Sequence, residues 1–141
     1  MSASFEVVDR LPTLDEYLEL TGAVGWSSYV TPETAKIALA HTLFAVVAEQ
    51  DGHAVAMARI VGDGALFFYV QDVAVLPDRQ GMGLGAAVMG RVMVWLDANA
   101  PDRAFVGLFS AAGKARFYTR YGFKATPTER PGMTQYIRFE K

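Results

Sequence analysis

Val73-Ala74-Val75-Leu76-Pro77-Asp78-Arg79-Gln80-Gly81-Met82-Gly83-Leu84-Gly85-Ala86-Ala87 is the stretch on which the fold turns. An apolar run stops at Pro77, a short polar loop follows, and three alternate glycines lead into Val88, Met89, Val92, Met93, Trp95 and Leu96 at helical spacing. Strand, loop and helix therefore follow one another. Glycine carries no Cβ, so the backbone N–H groups of such a loop can turn toward a ligand. They also sit at the positive end of the next helix, which suits a pyrophosphate. A bare strand-to-helix turn would use the same glycines, and the loop by itself leaves both readings open. Gly81-Met82-Gly83-Leu84-Gly85-Ala86 also fits the dinucleotide pattern G-x-G-x-x-A. That pattern sits directly after its strand, whereas five residues separate Val75 from Gly81 here. The 55 residues beyond Ala86 are too few for the rest of a doubly wound domain.

Upstream, residues 44–49 and 54–61 are apolar runs joined through Asp51-Gly52, a hairpin signal. Gly62-Asp63-Gly64 turns the chain again, and residues 65–76 read as a long strand, giving three consecutive antiparallel strands. Before them come a short helix opened at 12–16, with Leu14 and Leu18 on one face, and a second opened by Thr31-Pro32-Glu33. Thr31 caps, Pro32 fits the first helical position and Glu33 suits the positive end. Downstream, residues 104–109 read as a short buried strand and 111–120 as a helix stopped at Tyr121-Gly122. Residues 123–126 and 134–139 read as a closing pair of strands. This order gives an α/β (α+β) class: a mixed, mostly antiparallel central sheet flanked by helices, expected as one domain over 1–141.

Composition narrows the field. The chain has 141 residues, 52% hydrophobic and 20% charged, enough apolar content for an ordinary core and too much for a disordered chain. Thirteen basic against 15 acidic residues, a net charge of −2, argue against a nucleic-acid surface. Cysteine is absent, which excludes a disulfide framework, thiolate metal sites and a cysteinyl acyl-enzyme. The first ten residues do not read as a signal peptide, and no apolar run nears the roughly 20 residues a spanning helix needs. No membrane association and a cytoplasmic location are expected.

A second segment, Ala115-Arg116-Phe117-Tyr118-Thr119-Arg120-Tyr121-Gly122-Phe123, ends a helix on a glycine and starts an aromatic strand. Together with the glycine loop it resembles the GNAT family, the GCN5-related N-acetyltransferases. The family's acyl-CoA loop, Q/R-x-x-G-x-G/A, matches Gln80-Gly81-Met82-Gly83-Leu84-Gly85, and its aromatic-Tyr pair followed by Gly-Phe matches Phe117-Tyr118 and Gly122-Phe123. The likeness is strongest from Tyr69 to Phe123, and the element order extends it over nearly the whole chain.

The resemblance implies acetyl-CoA as co-substrate, with no metal. It implies that the backbone of Gln80, Gly81, Met82, Gly83, Leu84, Gly85 and Ala86 takes the pyrophosphate. The pantetheine arm would lie along Val73, Ala74 and Val75 like an added strand, and an N–H near Val73 would face the thioester oxygen. Tyr118 matches the family's general acid for the coenzyme A sulfur; a place in the aromatic core with Phe117 and Phe123 is the other reading. An Asn often stands seven residues before that tyrosine in the family. Ala111 stands there in this chain, leaving coenzyme contact to Ser110 or Lys114, with an ordinary surface lysine as the other reading of Lys114.

The general base is open. Strict alternation puts Tyr69, Gln71 and Val73 on one strand face, and neither Tyr69 nor Gln71 is a base at neutral pH. Asp72 points the other way unless a bulge re-aims it, and a structural hydrogen bond or ion pair is the competing role. His53 sits in the hairpin turn and His41 late in the second helix. A water chain to solvent is the leading reading. For the acceptor, Trp26, Ser27, Ser28 and Tyr29 offer an aromatic and hydroxyl wall, with Tyr69 and Gln71 beside it, although Trp26 suits a core position equally. Asp15, Glu16 and Glu19 read as a solvated face. A small primary amine is the expected acceptor, and the family resemblance admits a homodimer. A non-catalytic acyl-CoA sensor and a nicotinamide-binding protein are the competing functions, separable by turnover and by NAD binding.

Overall fold

Threonines start two of the helices. In this computed structural model, which describes residues 4–138, the Glu16 amide donates to Thr13 Oγ1 at 3.1 Å and the Thr13 amide donates to Glu16 Oε1 at 2.9 Å. Helix α1 (Leu14–Ala23) follows from that reciprocal cap. Thr31 and Thr34 form the same arrangement ahead of helix α2 (Pro32–Ala40), with Pro32 in its first turn.

Five strands make one sheet in chain order: β1 (Glu6–Val8), β2 (Phe44–Gln50), β3 (His53–Gly62), β4 (Phe67–Val75) and β5 (Phe105–Gly107). The first four pair antiparallel, and β5 joins β4 in parallel after helix α3 (Leu84–Asn99) has crossed over. Asp51 and Gly52, at φ of 53° and 77°, close the β2–β3 hairpin with the left-handed turn its strand twist favours.

The sheet is covered on both faces. Tyr17 and Leu20 of α1 and Ala35 and Leu39 of α2 pack with Val47, Ala54, Met57 and Ala74 of the strands. On the opposite face, Trp95 of α3 stacks on Phe44 with ring centroids 5.1 Å apart and meets Phe68 edge-on at 6.2 Å. Two register irregularities re-phase the strands, one opposite Ala48/Glu49 and one opposite Met57/Arg59. At the first, β3 carries an extra residue, so Ala54 joins the α1–α2 cluster and donates its amide to Glu16 Oε2 at 2.9 Å.

The chain divides into two compact units, Met1–Phe109 and Ser110–Lys141. The first holds all the elements above. The second holds helix α4 (Ala115–Thr119), and none of its described residues is buried.

Several sequence expectations need correction. β1 was not anticipated. α4 is shorter than 111–120, because Gly113 at φ +77° interrupts its first part. The expected closing strands at 123–126 and 134–139 do not form among the described residues, and Phe139 lies outside them. Pro127 and Pro131 each remove a backbone donor there, and 134–138 buries no face that would fix a register.

Candidate active site

The glycine loop has the backbone its composition implies. After β4 the chain makes a single 3-10 turn, Pro77–Arg79, and reaches Gly81 and Gly83 at φ of 85° and 82°. A side chain at either would be strained, yet no atom lies within 4 Å of a Cβ built there, so the loop faces open space. Gly83 is the cap residue of α3 and offers no side chain to its first amides. The first intrahelical bond runs from the Ala87 amide to the Gly83 carbonyl at 3.0 Å, so Leu84, Gly85 and Ala86 present amides without a helical acceptor. Gln80 Nε2 donates to the Val75 carbonyl at 3.5 Å, and Arg79 is held by Gln50 Oε1 at 2.6 Å and by Asp78 at 2.9 Å. An oriented row of N–H groups at the positive end of a 16-residue helix fits a diphosphate group.

Val73, Ala74 and Val75 lead toward this loop along an edge of β4 that no described strand pairs with. β4 pairs with β5 only through Phe67, Phe68 and Tyr69, opposite Phe105, Val106 and Gly107. On the other side the Leu76 amide donates to the Val55 carbonyl at 2.9 Å, and Ala74 and Val75 pair with Met57 and Ala56. Alternation along an antiparallel ladder then points the amides of Val75 and Val73 away from β3, toward the edge where the β5 register has ended. That edge fits an extended ligand arm paired like a strand.

A bulge at Asp72 overturns the expected alternation. Gln71 pairs with Arg59 and Ala74 with Met57, so two β3 residues on one face face β4 residues three apart. Tyr69 and Gln71 share the α1–α2 face, whereas Val73 no longer does. Asp72 adopts φ 58°, the left-handed region, and this re-aims its carboxylate onto that face. Asp72 Oδ2 accepts from Tyr17 Oη at 2.9 Å and from Arg59 Nε at 2.8 Å. The structural role weighed for Asp72 is therefore present.

Sequence reading missed Tyr17 and Arg59. Arg59 lies in the otherwise apolar run 54–61 and is 8% exposed, and a lone arginine in such a run is the signal that would have exposed it. Its Nη1 also donates to the Ala38 carbonyl at 3.2 Å and Thr42 Oγ1 at 3.0 Å, and its Cζ lies 5.9 Å from the Tyr17 ring centroid. Burial, with the Asp72 charge beside it, pushes the Tyr17 phenol well above the ordinary tyrosine range.

The remaining candidates are spread. Trp26 is partly buried against the α1–α2 core, which favours its core reading, and Tyr29 in the turn Ser27–Tyr29 is exposed. Tyr69 is half-buried with its ring 5.8 Å from that of Phe105. His53 bonds Glu19 at 2.7 Å, and His41 caps α2 with Nδ1 3.0 Å from the Ile37 carbonyl. Glu16 is not on a solvated face, being 6% exposed and bound by Arg10. A shallow depression of about 300 Å³ lined by Asp9, Arg10, Leu11, Thr42, Leu43, Phe44 and Ala45 contains none of the anticipated residues.

Within the second unit, Tyr118 and Phe117 meet edge-on at 5.0 Å, Phe117 meets Tyr121 at 5.6 Å and Tyr118 meets Phe123 at 6.3 Å. The aromatic cluster is thus real, and Tyr118 belongs to it. Partial burial among these rings raises the Tyr118 phenol above its usual range. Lys114 is exposed at the start of α4.

Comparison with known proteins gives these residues a context. A family model described as an acetyltransferase (GNAT) domain matches residues 41–125. The chain is 36% identical over 132 residues to "GCN5-related N-acetyltransferase 1, chloroplastic" of Arabidopsis thaliana, covering 91% of this chain and 64% of that protein. It is 38% identical over 85 residues to "Serotonin N-acetyltransferase 2, chloroplastic" of Oryza sativa subsp. japonica, covering 60% of this chain and 42% of that one. The chain thus spans 64% and 42% of these two relatives' lengths. A solved structure of a probable acetyltransferase from Staphylococcus aureus superposes with a TM-score of 0.87 at 29% identity, covering 96% of this chain and all of that one.

Proposed function

Because the chain belongs to the GNAT acetyltransferases, we propose that it is an acetyl-CoA-dependent N-acetyltransferase acting on the primary amine of a small molecule. One observation carries this reading: an open β4 edge at Val73–Val75 that leads, through the turn Pro77–Arg79, to the uncapped amides at the start of α3. The edge pairs the pantetheine arm, and the loop residues 80–86 hold the diphosphate.

Acetyl-CoA supplies the thioester that is cleaved. The amine nitrogen attacks the acyl carbon directly, without an acyl-enzyme. The Val73 amide stabilises the oxygen on which charge develops. The C–S bond then breaks and the departing thiolate takes a proton, the role that the match to the family's second motif assigns to the Tyr118 hydroxyl. The ammonium first loses one proton through water to solvent, since Tyr69 and Gln71 are poor bases and Asp72 Oδ2 is engaged by two donors, and the proton released from nitrogen after attack restores the Tyr118 hydroxyl. Tyr29, Tyr69 and Gln71 are assigned to the acceptor side, and Trp26 to the core beside them. A cytoplasmic location and a homodimer belong to the same reading and are checked by fractionation and sedimentation.

Titration calorimetry with acetyl-CoA beside NAD, followed by thiol release across a panel of primary amines, tests the proposal. Arylalkylamines belong in the panel, as one relative is named a serotonin N-acetyltransferase. Binding of acetyl-CoA without NAD, and release of thiol with at least one amine, are expected. Tyr118→Phe should lower kcat by about 10² or more with coenzyme affinity nearly unchanged. Binding without turnover on any amine would leave an acyl-CoA sensor; no binding by folded protein would end the acetyltransferase reading.

A further inference from the structure

The bulge in β4 rests on a residue that resists the conformation it adopts. Asp72 sits at φ 58°, a left-handed conformation that a non-glycine residue keeps where its surroundings fix it. What fixes it is visible. Its Oδ2 takes both the Tyr17 hydroxyl from α1 and the Arg59 Nε from β3. Arg59 is in turn held by the Ala38 carbonyl of α2 and by Thr42, so α1 and β3 meet at one carboxylate oxygen and α2 braces the arginine. This point lies next to Val73 in the chain, where the ladder changes phase and the amide turns to the open edge.

We propose that Asp72, gripped by Arg59 and Tyr17, is a positioning residue that holds the Val73 amide in place for acyl transfer, and is not the proton acceptor of the reaction. The inference rests on the acetyltransferase reading above. Both donors, one of them a buried guanidinium, fall on Oδ2 and tie the carboxylate to α1 and β3, and a base acting through Oδ1 is the alternative that the asparagine variant removes. The carboxylate instead sets a backbone conformation, and the backbone acts.

The two roles separate on substitution. Asparagine keeps an acceptor oxygen and tolerates the left-handed region better than other non-glycine residues, but it cannot take a proton. Alanine loses both the acceptor and the tolerance. Steady-state kinetics with acetyl-CoA and the best amine should show Asp72→Asn within about threefold of wild type and with the same pH profile. Asp72→Ala should lose about tenfold or more in kcat, with a raised KM for acetyl-CoA. Tyr17→Phe, which removes one donor and leaves the carboxylate, should fall between them. Where the alanine variant fails to fold, the asparagine variant decides alone. Asp72→Asn as inactive as a base deletion, or a rise in KM confined to the amine, would overturn the positioning role. Wild-type protein that neither binds acetyl-CoA nor releases thiol would overturn the acetyltransferase reading first, and this inference with it.

Discussion

Position 83 requires φ of 82° and an unobstructed approach, and only glycine supplies both at no cost. A valine there would be strained in its backbone and would place two methyl groups over the amides of Leu84 and Gly85. Gly83→Val should therefore weaken acetyl-CoA binding about tenfold or more, measured by calorimetry on protein whose circular dichroism matches wild type. Equal affinity in that variant would detach the loop from the coenzyme. Gly81 and Gly83 were legible because their φ requirement coincides with a motif. Asp72 was legible only as a conditional: its residue type does not announce a left-handed conformation, and the partners that impose it lie 13 and 55 residues away in the chain. The acceptor residues were the least legible. Trp26 and Tyr29 share a short segment, yet one packs on the core and the other is exposed, a difference that depends on how the segment docks rather than on its composition.

Among the elements, α1 is tied to the sheet through Tyr17, Glu19 and Glu16, and the Glu16 carboxylate makes the most bonds of the three. Glu16 caps its own helix at Thr13, accepts the Ala54 amide freed by the β3 bulge, and takes two donors from Arg10, which also bonds Glu49. The Arg10 guanidinium first, and the two amides after it, hold the Glu16 carboxyl down at about 2 despite the opposing effect of burial. A depressed acid stabilises the fold fully above its unfolded value and loses that contribution as pH falls through the folded one. Glu16→Gln should thus cost about 2 kcal/mol at pH 7, a gap that narrows between about pH 5 and pH 2 in urea titrations. A gap unchanged by acid would place the loss in packing. The antiparallel strands and three long helices were readable because each carries its own period, cap or turn residue. β1 was not, since three residues cannot display a period, and residues 123–138 misled because apolar alternation without a buried face does not make a strand.

Across the whole molecule, burial is concentrated in residues 1–109, and no described residue of the second unit is buried. Hydrogen exchange should therefore be slowest in β2, β3 and α3 and fast throughout 120–138. Protection at 123–126 or 134–138 equal to that of β3 would mean that the closing strands form after all. The short β4–β5 pairing also has a meaning for how such a chain can change over generations. An edge that recognises its ligand through main-chain amides leaves the side chains at 73–75 answerable only to the packing beneath them. Valine, isoleucine or threonine can replace one another there without altering what the edge binds, while proline, which erases the amide, is barred. Sequence drift along this edge is thereby decoupled from the chemistry it serves, and new acceptor specificities can arise on neighbouring segments without rebuilding the part that holds the acyl donor.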